Sequence, residues 1–196
     1  MSNMLGVATL HLERISVIRG GSLLISDLSL ELSGPKLLWV SGGNGIGKTS
    51  LLRTCAGLSH PDEGQVTWSI ENEFIAAPDA VSFLPANSYA KPGLTAGEEA
   101  KFWGADLADT HLSPHQDTLT QSLSTGQSKR LSISKLLSEK KPIWILDEPL
   151  AGLDEAGRSL VAACLQTHVT AGGLALVASH APITVHGIPT QKLALS

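Results

Sequence analysis

The sequence predicts an α/β fold whose central sheet is mostly parallel, with helices on both faces, and three observations lead there. Short apolar runs of buried-strand type recur at Leu37-Leu38-Trp39-Val40, Val81 to Leu84, Ile143 to Leu146 and Leu174 to Ala178. Helix-like stretches lie between them, as parallel pairing requires, because each crossover must carry the chain back to the same end of the sheet. A glycine-rich segment also joins the first of these strands to a helix.

Ahead of that sheet, apolar and polar residues alternate through Leu10, Leu12, Ile15 and Val17, and again through Leu28, Leu30 and Leu32. Gly20-Gly21 between the two runs is a turn signal, so an N-terminal antiparallel β subdomain is expected. A helix follows the glycine-rich loop from Lys48 to Ala56 and ends at Gly57. Pro61-Asp62-Glu63-Gly64 reads as a turn. From Asn87 to about Ser122 the pattern weakens, and Thr95 to Trp103 is its best helix. Helices are expected again over Leu131 to Leu137 and Asp154 to Val169, with Leu174 to Ala178 as the last core strand. No internal repeat or low-complexity linker interrupts the chain.

With 196 residues, 42% of them hydrophobic and 16% charged, the chain suits one globular domain with its own core. A formal charge of −4 offers no general attraction to nucleic acid, and none is expected as a partner. Cys55 and Cys164 lack metal-ligand spacing and fall in apolar helical patterns, so both read as buried free thiols. Residues 1–6 show no basic region leading into an apolar stretch, and no apolar run approaches the ~20 residues that span a bilayer. The expectation is a soluble, cytoplasmic protein that reaches a membrane only through a partner.

Gly42-Gly43-Asn44-Gly45-Ile46-Gly47-Lys48-Thr49 matches G-x-x-x-x-G-K-[ST] in full, with Ser50 following in the helix. Glycines let the loop curl so that successive N–H groups face phosphate oxygens, and the helix N-terminus adds partial positive charge. Lys48 can reach the β- and γ-phosphates, and the Thr49 hydroxyl can ligate Mg²⁺. The alternative, a glycine-rich turn with a chance lysine, does not account for the strand before it and the helix after it. A nucleoside triphosphate is the expected ligand.

Asp147 and Glu148 end the run from Ile143, at the edge of the sheet where α/β folds bind ligands. Such a pair by itself is commonly a solvated strand end. Beside a phosphate loop, Asp147 suits the Mg²⁺ shell and Glu148 the activation of water. Adjacent strand residues point to opposite sides, which allows the two roles to separate.

Leu123-Ser124-Thr125-Gly126-Gln127 resembles the LSGGQ signature of ABC ATPases. The order of motifs agrees: phosphate loop, signature, acidic strand, then Ala151-Gly152-Leu153-Asp154 and His180, which look like that family's D-loop and switch histidine. On its own the signature piece would be only a helix N-cap at Ser124. The resemblance covers about Leu10 to Ala181 and implies a P-loop NTPase of ABC type across residues 1–196, with a short helical subdomain inserted over about 88–138. It also implies ATP and Mg²⁺ as cofactors and a dimer of this chain with itself or with a homologous ATPase. In that dimer Ser124, Gly126 and Gln127 contact the nucleotide of the opposite protomer, Asp154 of the D-loop is a further nucleotide-binding residue, and His180 meets the γ-phosphate beside Glu148.

Two departures stand out. The family usually carries a Gln after the strand that leads into the helical subdomain, whereas Phe83-Leu84-Pro85-Ala86-Asn87 offers only Asn87 as a substitute metal ligand. The aromatic that usually stacks on adenine is replaced by Val17, Ile18 and Arg19. Short length, Trp144 in the acidic strand, His168, Gly172-Gly173 and Ser179-His180-Ala181-Pro182 resemble the ATP-binding subunit of the cytochrome c maturation system, the haem exporter ATPase. That resemblance implies a peripheral place on the cytoplasmic face of the inner membrane, integral membrane subunits and a haem chaperone as partners. Trp144 as a plain core filler, another small ABC exporter, and an ATP-gated binding module with little turnover remain the alternatives. Lys129-Arg130 reads as a solvated face.

Overall fold

The computed structural model describes residues 6–87, 91–183, 185 and 187–196. The N-terminal elements in chain order are β1 (Ala8–Arg19), β2 (Ser22–Ser33), β3 (Lys36–Ser41), α1 (Lys48–Cys55), β4 (Glu63–Ile70) and β5 (Glu73–Ile75). There follow α2 (Ala77–Ala80), β6 (Val81–Leu84), α3 (Ala96–Trp103), α4 (Thr125–Glu139), β7 (Ile143–Asp147), α5 (Glu155–Thr170), β8 (Leu174–Ala178) and β9 (Thr190–Ala194). The first three residues of the expected helical insertion, 88–90, and residues 1–5 lie outside the described residues.

The N-terminal alternation folds as expected into an antiparallel hairpin of β1 and β2. Both turn glycines, Gly20 and Gly21, have positive φ, which matches the right-handed twist of paired strands. Leu10, Leu12, Ile15 and Val17 are all buried. The turn expected at Pro61 to Gly64 is a correction: β4 begins at Glu63 and pairs along the other edge of β1, giving a four-stranded sheet ordered β2-β1-β4-β5. Gly64 is there for a close approach, since a Cβ would collide with the backbone of Glu13 and Arg14 where the β1–β4 register shifts.

The second sheet is ordered β6-β7-β8-β3-β9 and every neighbouring pair is parallel. Leu174 to Ala178 is the last fully buried strand, as expected, and one further strand follows it, the mostly exposed β9 paired with β3 at the sheet edge. Side chains alternate between its two faces. Leu38, Val40, Ile143, Ile145, Leu174 and Leu176 pack toward α1 and the antiparallel sheet. Leu37, Trp144, Leu146, Ala175 and Val177 pack on the opposite face against Ile133 and Leu136 of α4 and Val161, Leu165 and Val169 of α5. Helices thus cover both faces, as the near-continuous apolar strands demand.

A smaller core of Ala96, Ala100, Leu107, Leu112 and Leu131 joins α3 to α4. Three single turns of 3₁₀ helix, Ala108–Thr110, Ser113–His115 and Thr120–Ser122, connect them. Thr95 starts α3 with a capping box, its Oγ1 accepting from Glu98 N at 3.2 Å while its own N–H donates to the Glu98 carboxylate at 2.8 Å. Among the described residues no helix is long and apolar enough to cross a membrane.

Candidate functional site

The β3–α1 unit shapes the first half of the site. Gly47 caps α1 with φ 111°, a conformation closed to most side chains, and no side chain caps the helix. The first turn of α1 holds no acidic residue, so its free N–H groups and dipole suit an anion. At Gly42 a Cβ would sit 2.9 Å from Ile46 Cγ2 and 3.0 Å from the Leu195 carbonyl, so the loop closes only with glycine there. Lys48 folds back over the loop and donates through Nζ to the Gly42 and Gly43 carbonyls, each at 2.9 Å.

The acidic half comes from β7, two strands away in the same sheet. Asp147 is the last residue of β7 and almost fully buried, and its Oδ2 accepts from Thr49 Oγ1 at 2.8 Å. Glu148 is not a strand residue, which corrects the picture of two neighbours pointing to opposite sides of a strand. Its φ is 46°, in the left-handed region, while its N–H donates to the Ala178 carbonyl at 2.9 Å. The chain bends there, and both Asp147 and Glu148 line one cavity. Among the described residues Glu148 Oε1 is buried without a hydrogen-bond partner, and His180 Nε2 lies 3.4 Å from it. The pair lies within ion-pair distance but does not form a hydrogen bond.

These groups line one cavity of about 250 Å³, together with Leu24, Asn44, Gly45 and Ser50. It brings a cation, a bare helix N-terminus, a hydroxyl–carboxylate pair and an unpartnered carboxylate oxygen to one place. That set can bind phosphates and polarise a water.

The signature residues are elsewhere. Ser124 caps α4, accepting from Gln127 N at 3.3 Å, while its own N–H donates to Gln127 Oε1 at 2.8 Å. The Gln127 amide also meets His115 Nε2 at 2.9 Å. Ser124, Gly126, Gln127 and Asp154 line a second cavity of about 500 Å³ that shares no lining residue with the first. Asp154 caps α5 through Gly157 N at 2.8 Å and receives Arg130 Nη2 at 3.1 Å. The Gly157 N–H first, and then Arg130, hold its carboxyl below the ordinary range.

Asn87 does not join either cavity; it is exposed just beyond β6. Ile18 is also exposed, and Arg19 Nη1 is tied to the Ile18 carbonyl at 2.6 Å and to Asp62 at 3.3 Å. Burial pushes the Cys55 thiol up to about 12 and the half-buried Cys164 up to about 11, so both stay protonated.

Lys129 corrects the expectation of a solvated face, since it is 1% exposed and points into the protein. The signal is legible only in a helix that starts at Thr125, where Lys129, Ile133 and Leu136 follow i, i+4, i+7 on the buried face of α4. Arg130 beside it faces Asp154.

Residues 25–151 match a family model described as ABC transporter. The chain belongs to the ABC transporter family. Curated relatives named cytochrome c biogenesis ATP-binding export protein CcmA are 39% identical in Methylococcus capsulatus, with 92% of this chain and 95% of the relative covered. In Chelativorans sp. the identity is 37%, with 92% and 95% covered, and in Bradyrhizobium diazoefficiens 33%, with 92% and 94%. Within that family the chain groups with these CcmA relatives. Among solved structures, an ATP-binding subunit of an ABC transporter aligns at TM-score 0.81 and 18% identity, covering 95% of this chain and 85% of that one. A dimeric ATP-binding cassette in a post-hydrolysis state with ADP and Pi aligns at 0.79 and 20%, covering 95% and 94%. At such identities these two establish the shared fold.

Proposed function

We propose that this ABC ATPase is the energy-coupling subunit of a cytochrome c biogenesis export complex, acting as a homodimer on integral membrane subunits at the cytoplasmic face of the inner membrane. One observation carries its hydrolytic part: the buried, unpartnered Oε1 of Glu148, with His180 Nε2 at 3.4 Å, in the same cavity as Lys48. A carboxylate oxygen held dry without a donor is costly unless a water or substrate proton comes to it. The cytochrome c part is supported by relatives of that name at 33% to 39% identity over nearly the whole chain. Haem is the cargo that this reading implies, with a haem chaperone downstream.

The roles follow from the groups present. On ATP entry the Lys48 ammonium exchanges two loop carbonyls for β- and γ-phosphate oxygens, a gain because the new bonds are charge-assisted on both sides. The backbone of residues 42–47, Thr49 and Ser50 hold the remaining phosphate oxygens. Thr49 and Asp147 present hard oxygens 2.8 Å apart, a donor pair that fits Mg²⁺. Bound there, Mg²⁺ supplies charge neutralisation to the phosphates. Glu148 accepts the proton of the attacking water, and His180 orients that water and the γ-phosphate. Because the signature lines a separate cavity, Ser124, Gly126 and Gln127 serve the nucleotide of a second protomer. Two composite sites then form across a two-fold interface, with Asp154 near the seam. Residues 1–196 form one ABC ATPase domain, and closure moves its helical subdomain, about 88–138, against the membrane subunits.

The test is recovery of tagged Glu148→Gln protein with ATP from solubilised membranes, followed by mass spectrometry of what accompanies it. The expected result is multi-span subunits together with a haem-binding chaperone. A different permease overturns the cytochrome c assignment, and no membrane protein at all overturns the docking.

A further inference from the structure

α4 sends one cation into the protein interior, on the side facing Glu148. Lys129 Nζ donates to the Ala86 carbonyl at 2.7 Å, to the Pro85 carbonyl at 3.3 Å and, more weakly, to the Glu148 carbonyl at 3.5 Å. Three donors thus meet three backbone carbonyls, the arrangement a buried ammonium needs. Burial lowers the Lys129 pKa, and the charges of Asp147 and Glu148 oppose that shift. The ammonium supplies these carbonyls with a donor that a methionine or leucine would remove, at the cost of desolvating an ion.

The partners are informative. Pro85 and Ala86 begin the segment that leaves β6 toward the helical subdomain. Glu148 holds a left-handed φ of 46°, which a non-glycine residue keeps only when its surroundings fix it. Its N–H is fixed by Ala178, and its carbonyl by Ala151 N at 3.2 Å and by Lys129. Lys129 lies five residues beyond Ser124, on the helix that Ser124 caps.

We propose that Lys129 is a positioning residue for hydrolysis: it ties the signature helix to the backbone of Glu148 and to the β6 exit, so the Glu148 carboxylate is aligned only while α4 is seated. Movement of the helical subdomain then reaches the reacting water through one buried ammonium. The inference rests on Glu148 being the base that activates this water.

The experiment is a double-mutant cycle on the full chain, with single-turnover phosphate release and ATP binding measured separately. Lys129→Met is expected to lower the hydrolysis rate at least about tenfold, with the ATP dissociation constant moving less than about threefold, since misplacement of a catalytic group acts on the chemical step. Lys129→Arg, which keeps charge and donors, is expected to restore most of the rate. In a Glu148→Gln background, Lys129→Met is expected to remove almost nothing further, because both act through one group. An unchanged rate in Lys129→Met overturns the proposal, as does the same tenfold loss in the Glu148→Gln background. Should Lys129→Met not fold, Lys129→Gln supports the same comparison with a neutral donor. If Glu148→Gln itself hydrolyses at the wild-type rate, the reading of Glu148 has failed and takes this proposal with it.

Discussion

Acidification should destabilise this protein through one buried histidine. His168 on α5 stacks flat on Trp144 of β7, with ring centroids 4.0 Å apart and planes 7° from parallel. It is 6% exposed, and its Nε2 lies 3.2 Å from the Leu174 carbonyl, to which only an N–H can donate. Burial pushes its pKa down from 6.5 to about 4. Between those values the unfolded chain binds a proton that the folded chain refuses, so stability rises with pH across this window and is lost as pH falls through it. The difference amounts to about 3 kcal/mol once pH is below both values, and to about 2 kcal/mol near pH 5. Urea unfolding of wild type and His168→Phe, at about pH 7.5 and about pH 5, isolates the effect because phenylalanine keeps the stack and other titrating groups cancel. Wild type should lose about 2 kcal/mol more than the variant on acidification. Equal losses would refute the assignment of a neutral, buried His168.

Two further substitutions test neighbouring parts of the account. A Cβ at Gly173 would collide with the His168 ring, so Gly173→Ala should cost about 1–3 kcal/mol in thermal unfolding, much of it recovered when His168 is also shortened to alanine. Ser124→Ala removes the cap that receives Gln127 N and should cost about 1 kcal/mol. The same change should weaken ATP-driven dimer formation measured by light scattering.

The fold was legible where burial and periodicity agree. β6 and β8 occupy the residues expected, and β7 exceeds its expected span by one residue, because strands covered on both faces are apolar throughout. α4 starts at Thr125, six residues before the apolar pattern announces it, since its first turn is built by the Ser124–Gln127 capping box. β4 was hidden because Gly64 looks like turn chemistry but serves a close backbone approach. β9 was hidden because its residues are mostly exposed, as an edge strand permits.

For the site, the phosphate-loop motif and the acidic strand end read together identified Lys48, Thr49, Asp147 and Glu148 as neighbours, because the phosphate loop and β7 end at one edge of a parallel sheet. Asn87 failed as a neighbour because similar amide chemistry says nothing about position. Lys129 was missed because the expected helix began at Leu131, two residues after it, whereas α4 starts at Thr125. Trp144 fills the core, as one reading allowed, yet it does so as the stacking partner of His168. No local pattern could have paired residues on a strand and on the following helix.

The central claim is that Glu148 drives ATP hydrolysis in a site completed by a second protomer. Single-turnover phosphate release by wild type and Glu148→Gln, with ATP-dependent dimer mass followed in parallel, tests it most directly. The account predicts a loss of at least about a hundredfold in release, because the general base is gone, with ATP still bound and the dimer now stable. Equal release rates, or a Glu148→Gln protein that stays monomeric with ATP, would contradict it.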